Sequence, residues 1–233
     1  MNTKNNTADI FAKSVRHTLW IHSFLCAAII YILLVEYLLI QNKYLTVSFL
    51  NEALAGTASI MIGTSFAFSG FCYYFDFLDR KIAYRKYFGL VGFWGALLYA
   101  IILAILHPQK YIFGLSYYFW SVDIIFGGIA LGIFAVMAII STRSMMMRLG
   151  VHTWRRILRM GYLALVLLII RAVVVESALW RLWFVHPYEL PPLRLVGTVF
   201  SVIVLLFRGS MIVSQFFYII IALCAYTIPS QKK

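Results

Sequence analysis

The chain reads as an all-α protein, a polytopic bundle of six transmembrane helices with both termini on the cytoplasmic side. Three observations predict this. Of its 233 residues, 63% are hydrophobic and only 12% charged, and the mean hydropathy is +0.90, too apolar a balance for a monomeric water-soluble domain of this size. The apolar residues gather into six runs of about 20, enough for a helix to cross roughly 30 Å of hydrocarbon while satisfying its own backbone hydrogen bonds. The cations fall between these runs, with a strong bias to one side.

The first span is Leu19–Ile40. Lys4, Lys13 and Arg16 precede it, but the run is longer than a signal-peptide core and no small-residue cleavage site follows. The expectation is a retained helix behind a short cytoplasmic segment, residues 1–18. The second span, Ala55–Phe75, carries Ala55, Ser59, Gly63 and Ala67 at four-residue spacing, a stripe that admits a close helix neighbour and is expected to face the interior. In the third, Phe88–Leu106, Gly92 and Ala96 place Tyr99 on roughly the same inward face, and Pro108 follows the end. The fourth, Tyr117–Ile140, carries Gly128 and Gly132, which are likewise expected to point inward. The fifth is Ile157–Glu176. After it comes the longest external connection, Ala178–Arg194, where Trp180, Trp183 and Tyr188 are expected to lie along the membrane interface beside Pro187, Pro191 and Pro192. The sixth span is Leu195–Tyr226. The six-helix domain thus fills residues 19–226, and residues 227–233 form a cytoplasmic tail.

A net charge of +12 raises the question of nucleic acid, and the distribution of the charge excludes it. Fourteen cations lie before the first span, between the second and third, around the fourth-to-fifth loop and at the C-terminus. Lys43, Lys110, Arg181 and Arg194 are the four on the other side, so the positive-inside rule predicts N-in and C-in. The partner implied is the lipid bilayer. Cys26, Cys72 and Cys224 sit on separate helices with no C-x-x-C spacing and read as small apolar residues.

Two stretches carry a family resemblance. Arg85-Lys86-Tyr87-Phe88-Gly89-Leu90, running on to Ala96-Leu97-Leu98-Tyr99, is similar to the basic start and "ALLH" centre of the third helix in ferric-reductase-like membrane domains. Ser141-Thr142-Arg143-Ser144-Met145, then Arg148-Leu149-Gly150, Trp154 and Arg159-Met160-Gly161-Tyr162-Leu163, resembles a segment of the MsrQ/YedZ group, the haem-binding membrane subunits of periplasmic methionine-sulfoxide reductase systems. The resemblance implies a bacterial inner-membrane location, a redox or membrane partner protein, and electron transfer through b-type haem held by histidines. Those histidines would stand at the "ALLH" position and at two fifth-helix positions thirteen residues apart, roughly 20 Å along a helix.

The matching residues here are Tyr99, Leu158 and Arg171. Leucine has no lone pair to donate, a guanidinium is a permanent cation, and a phenol ligates haem iron only as phenolate, for which a nearby Arg171 would supply the counter-charge. Of the five histidines, His17, His22, His152 and His186 read as interfacial or solvated, and only His107 is near the bundle, at the end of the third span before Pro108. Tyr99, Arg171 and His107 are therefore the degenerate cofactor positions. The expectation is no cofactor, with haem b as the alternative. Met145–Met147 do not form a copper site, since three consecutive helical residues cannot face one ion, and no metal site is predicted. Nucleotide-binding and nucleophile motifs are absent, so flavin or nicotinamide chemistry would need another chain.

Ionisable residues within spans are costly and mark either function or mutual pairing. Glu36, Asp123, Arg171, Glu176 and Arg208 are the set here, with Asp123 or Glu36 the expected counter-ion of Arg171. The leading expectation is a haem-free scaffold or regulatory subunit of the ferric-reductase-like class. The alternatives are an electron-transfer subunit with unusual ligation and a small transporter or proton-conducting bundle.

Overall fold

The computed structural model describes residues 3–41, 44–74, 83–113, 121–187 and 190–227, with the side chains of 3–13, 69, 73, 143, 151, 216 and 218–227 left aside. Lys43, Phe75, Arg80, Lys81, Tyr117, Tyr188, the Cys224 side chain and residues 228–233 lie outside the described residues. The described chain is helical: α1 (Thr3–Ile40), α2 (Val47–Tyr74), α3 (Ala83–Leu106), a π-helical turn (Gln109–Phe113), α4 (Val122–Ile140), the short α5 (Arg143–Leu149), α6 (Val151–Val185) and α7 (Leu193–Thr227). Six of these helices, all but α5, are long and apolar enough to cross a membrane, and the protein is a six-helix transmembrane bundle.

Helix ends differ from the hydropathy reading for local reasons. No proline or glycine interrupts residues 3–40, so α1 runs through them unbroken, and the described part of the segment expected to precede it belongs to the same helix. α2 begins eight residues before the expected Ala55 because Thr46 caps it, its Oγ1 accepting the Phe49 N–H at 3.2 Å. The polar Asn51 and Glu52 conceal this turn from a hydropathy window. Gly150, at φ +74°, separates α5 from α6 in a conformation that favours glycine. The largest correction concerns α6. It runs on to Val185, 35 residues or roughly 52 Å, because no proline stands before Pro187. About half of the expected connection Ala178–Arg194 is therefore helix, with Leu179, Leu182, Phe184 and Val185 exposed on it.

The packing order follows from side-chain size. α2, α3, α4, α6 and α7 contact one another in sequence around a ring, which α7 closes against α2, while α1 packs on the outside of α2 and α3. The α2–α3 seam is the most intimate. A Cβ placed on Gly92 would lie 2.9 Å from the Ile62 backbone N and 3.1 Å from the Ala58 carbonyl oxygen, so the two backbones touch where glycine leaves room. On α2 the expected small-residue face does look inward, with Gly63 and Ala67 buried. On α4 no helix packs closely on it: Gly128 lines the cavity described below, but Gly128 and Gly132 are both exposed and a Cβ on either meets no atom within 4 Å, α4 leaning on α6 through Ala130 and Phe134.

Hydrogen bonds pin both ends of the bundle. Near the termini, Ser65 Oγ donates to the Arg85 carbonyl at 2.6 Å and Tyr74 bonds Ser210 at 2.9 Å. At the far end, Tyr37 Oη and Gln41 Nε2 both donate to the Pro191 carbonyl, at 2.6 and 2.8 Å, tying α1 to the start of α7. Midway, Ile62, Phe66, Phe134, Leu165 and Val204 form a dry core. Outward faces carry large apolar side chains such as Leu33, Ile105 and Leu206, 57–67% exposed, as a lipid-facing surface requires.

Candidate functional site

Above the dry core, toward the far end, the ring opens into a cavity of about 360 Å³. Its walls are mostly small and apolar, and its polar groups are Glu52 and Ser59 from α2, Tyr99 from α3, Asp123 from α4, Arg171 and Glu176 from α6, Arg194, Thr198 and Ser201 from α7, and Tyr111 from the π turn.

Asp123 is the organising group. It stands in the first turn of α4, where a negative charge faces the positive end of the helix dipole. Its Oδ1 accepts Arg171 through Nη2 at 2.6 Å and Nε at 2.8 Å. Its Oδ2 accepts Lys110 Nζ at 2.9 Å and Tyr111 Oη at 2.7 Å. Both carboxylate oxygens are thus used, and only 13% of the side chain remains exposed. Gly127, one turn along α4, borders the pair, and a Cβ there would make ordinary contact with Arg171 Nε at 3.4 Å. Tyr99 lines the same cavity as Arg171.

Lys110 and Tyr111 lie outside the spans, and their proton affinities reflect this contact. Burial works to lower the Lys110 ammonium, but the hydrogen bond and charge of Asp123 outweigh it and raise its pKa above the usual lysine value. Tyr111 is raised as well, first by burial and then by the bond it donates to Asp123.

A second pair, Glu176 with Arg194, closes the rim between α6 and α7. Glu176 is buried, and Arg194 is half exposed. The remaining candidates lie elsewhere. Glu36 is exposed on α1, which packs outside the ring, so it does not line the cavity and Asp123 alone of the two expected counter-ions meets Arg171. His107 is exposed just past the end of α3, where its carbonyl accepts the Lys110 and Tyr111 N–H groups. Arg208 sits in the half nearer the termini, 5.3 Å over the Tyr162 ring and 3.8 Å from Met211 Sδ. Cys26 and Cys72 are half-buried.

Sequence reasoning missed Lys110, Tyr111, Glu52 and Arg194 as site residues. Glu52 had a signal: it continues the α2 face of Ala55, Ser59 and Ile62 one turn earlier. Lys110 and Tyr111 had none, because a π turn after Pro108 turns them back toward α4. Among the described residues, no group of three or more His, Cys, Asp or Glu is arranged to hold a metal ion. No protein-family model matches the chain, and no curated protein sequence matches it.

Proposed function

We propose that the chain is a scaffold or regulatory subunit of the bacterial inner membrane, N-in and C-in, built on a ferric-reductase-like layout of the MsrQ/YedZ type, in which an ion pair stands where a haem ligand would. The Asp123–Arg171 contact carries this reading. It occupies the fifth-span position at which the resemblance implies histidine, and both partners are engaged by each other. The donors around the cavity do not fit a b-type haem, which needs neutral imidazole lone pairs from facing helices. Tyr99 is a phenol rather than an imidazole, Arg171 is committed to a carboxylate, and no imidazole lines the cavity among the described residues.

The segment that carries the resemblance also has local structural roles. Gly150 holds the positive φ between α5 and α6, and Trp154 Nε1 donates to the Ile140 carbonyl at 3.0 Å, clamping the end of α4 to the start of α6. The dry core beneath the cavity, from Ile62 to Leu165, argues against a proton or solute path through the bundle. An absorption spectrum of protein purified from haem-replete cells tests the proposal. The expected result is no Soret band, and a Soret band with a pyridine-haemochrome signal near one haem per chain would refute it.

A further inference from the structure

We propose that the cavity is a binding site for a small single-headed amphiphile with a neutral or zwitterionic head, admitted sideways from the bilayer past Gly128. This inference stands on the cavity itself, whatever the ancestry of the bundle.

Size and lining set the class. About 360 Å³ falls at the lower end of the range for small-molecule sites, roughly 300–1,000 Å³, and a mostly apolar wall with a few convergent polar groups is their usual composition. The polarity is graded along the membrane normal. Glu52, Tyr99 and Thr198 lie toward the far end, whereas Ile62, Leu131 and Phe134 lie deeper, above the dry core. A ligand matching this gradient has a hydrogen-bonding head and an apolar body.

The charges restrict the head. Three carboxylates (Glu52, Asp123 and Glu176) face three cations (Arg171, Arg194 and the Lys110 that bonds Asp123). With that balance, a head of one net sign would enter a low-dielectric site without a compensating charge. A hydroxylated or zwitterionic head avoids this cost.

The route follows from Gly128. It lines the cavity and is exposed, and a Cβ there meets no atom within 4 Å. The proposed route passes this lining position because the wall carries no side chain there. Gly132, one turn further along α4, is equally exposed and equally unobstructed but does not line the cavity, which makes it a matched control.

The test measures adducts on the full chain released from nanodiscs, by native mass spectrometry, with four dodecyl probes: monododecanoylglycerol, dodecylphosphocholine, dodecyl phosphate and dodecyltrimethylammonium. The neutral or zwitterionic probe should bind saturably at one per chain, ahead of both charged probes. Gly128→Trp should weaken that binding by about tenfold or more, whereas Gly132→Trp should leave it unchanged. Ala100→Leu narrows the cavity from the α3 wall and serves as the second variant if Gly128→Trp does not fold. Adding the probe to the outside of intact cells or to preloaded bilayers separates an aqueous source from a membrane source, and faster filling from the preloaded bilayer is expected. Unsaturable uptake, equal loss in both glycine variants, unchanged binding in the cavity variants, preference for a charged head, or faster filling from water would overturn the proposal.

Discussion

Replacing Arg171 by Leu removes both donors from Asp123 Oδ1, the contacts at 2.6 and 2.8 Å, and leaves a carboxylate that is 13% exposed with half of its partners. Removing one member of a buried ion pair costs about 3–5 kcal/mol, because the other charge is left uncompensated. Lys110 and Tyr111 still hold Oδ2, so the loss belongs at the lower end, about 3 kcal/mol. For a chain of this length that corresponds to a fall in Tm of roughly 6–12 °C. Adding Asp123→Asn removes the stranded charge, and the Lys110 side chain, 39% exposed, can turn to water. The double variant should therefore stand within about 1 kcal/mol of the parent, recovering about 2 kcal/mol of the loss in the single variant. Thermal unfolding in one detergent at pH 7, followed by tryptophan fluorescence and circular dichroism, reads all three proteins. An Arg171→Leu chain melting within about 2 °C of the parent, or a double variant less stable than the single, would refute the reasoning.

Two further outcomes follow from the same geometry. Gly92→Leu should destabilise the bundle by about 3 kcal/mol, because its side chain would meet the Ile62 backbone rather than a movable side-chain tip; urea or thermal unfolding in detergent checks this. Lys110 and Tyr111 both have raised folded-state pKa values, so the folded chain holds these protons more tightly than the unfolded one. Their contribution should be complete below about pH 10 and lost as pH rises through the raised values, and a Lys110→Met, Tyr111→Phe variant should show a smaller alkaline loss of Tm than the parent.

The six spans were legible because twenty-residue apolar runs have few alternatives, and five of the helices were placed near their observed positions from hydropathy alone. Their ends were not, because capping and continuity are local. Thr46 starts α2 by accepting one N–H, and α6 continues past Glu176 because nothing breaks it before Pro187. The inward face of α2 and the orientation of Tyr99 followed from four- and seven-residue spacing, whereas on α4 the same argument put Gly128 on the cavity but found no close helix neighbour for it or for Gly132. Small residues permit a close neighbour without supplying one, and α4 meets α6 through Ala130 and Phe134 instead. In the site, the meeting of Asp123 and Arg171 was readable as a charge that needs a partner. The role of Lys110 was not, since as a lone cation in a connection it carries a topology signal and no distance. Glu36 shows the converse limit: depth along a helix was right for a counter-ion, but the position of α1 outside the ring removes it from the cavity.

The proposed N-in, C-in orientation puts the charge cluster and its cavity at the exterior end of the bundle, opposite the basic loops. Labelling single cysteines in intact cells with a membrane-impermeant thiol reagent tests it most directly, in a chain whose three natural cysteines are replaced by Ser. Cysteines at Lys110 and Arg194 should label from outside, and those at Lys86 and Arg148 should label only after the membrane is opened. The reverse pattern at two or more of these sites would place the cavity and its ion pairs on the cytoplasmic side and contradict the account.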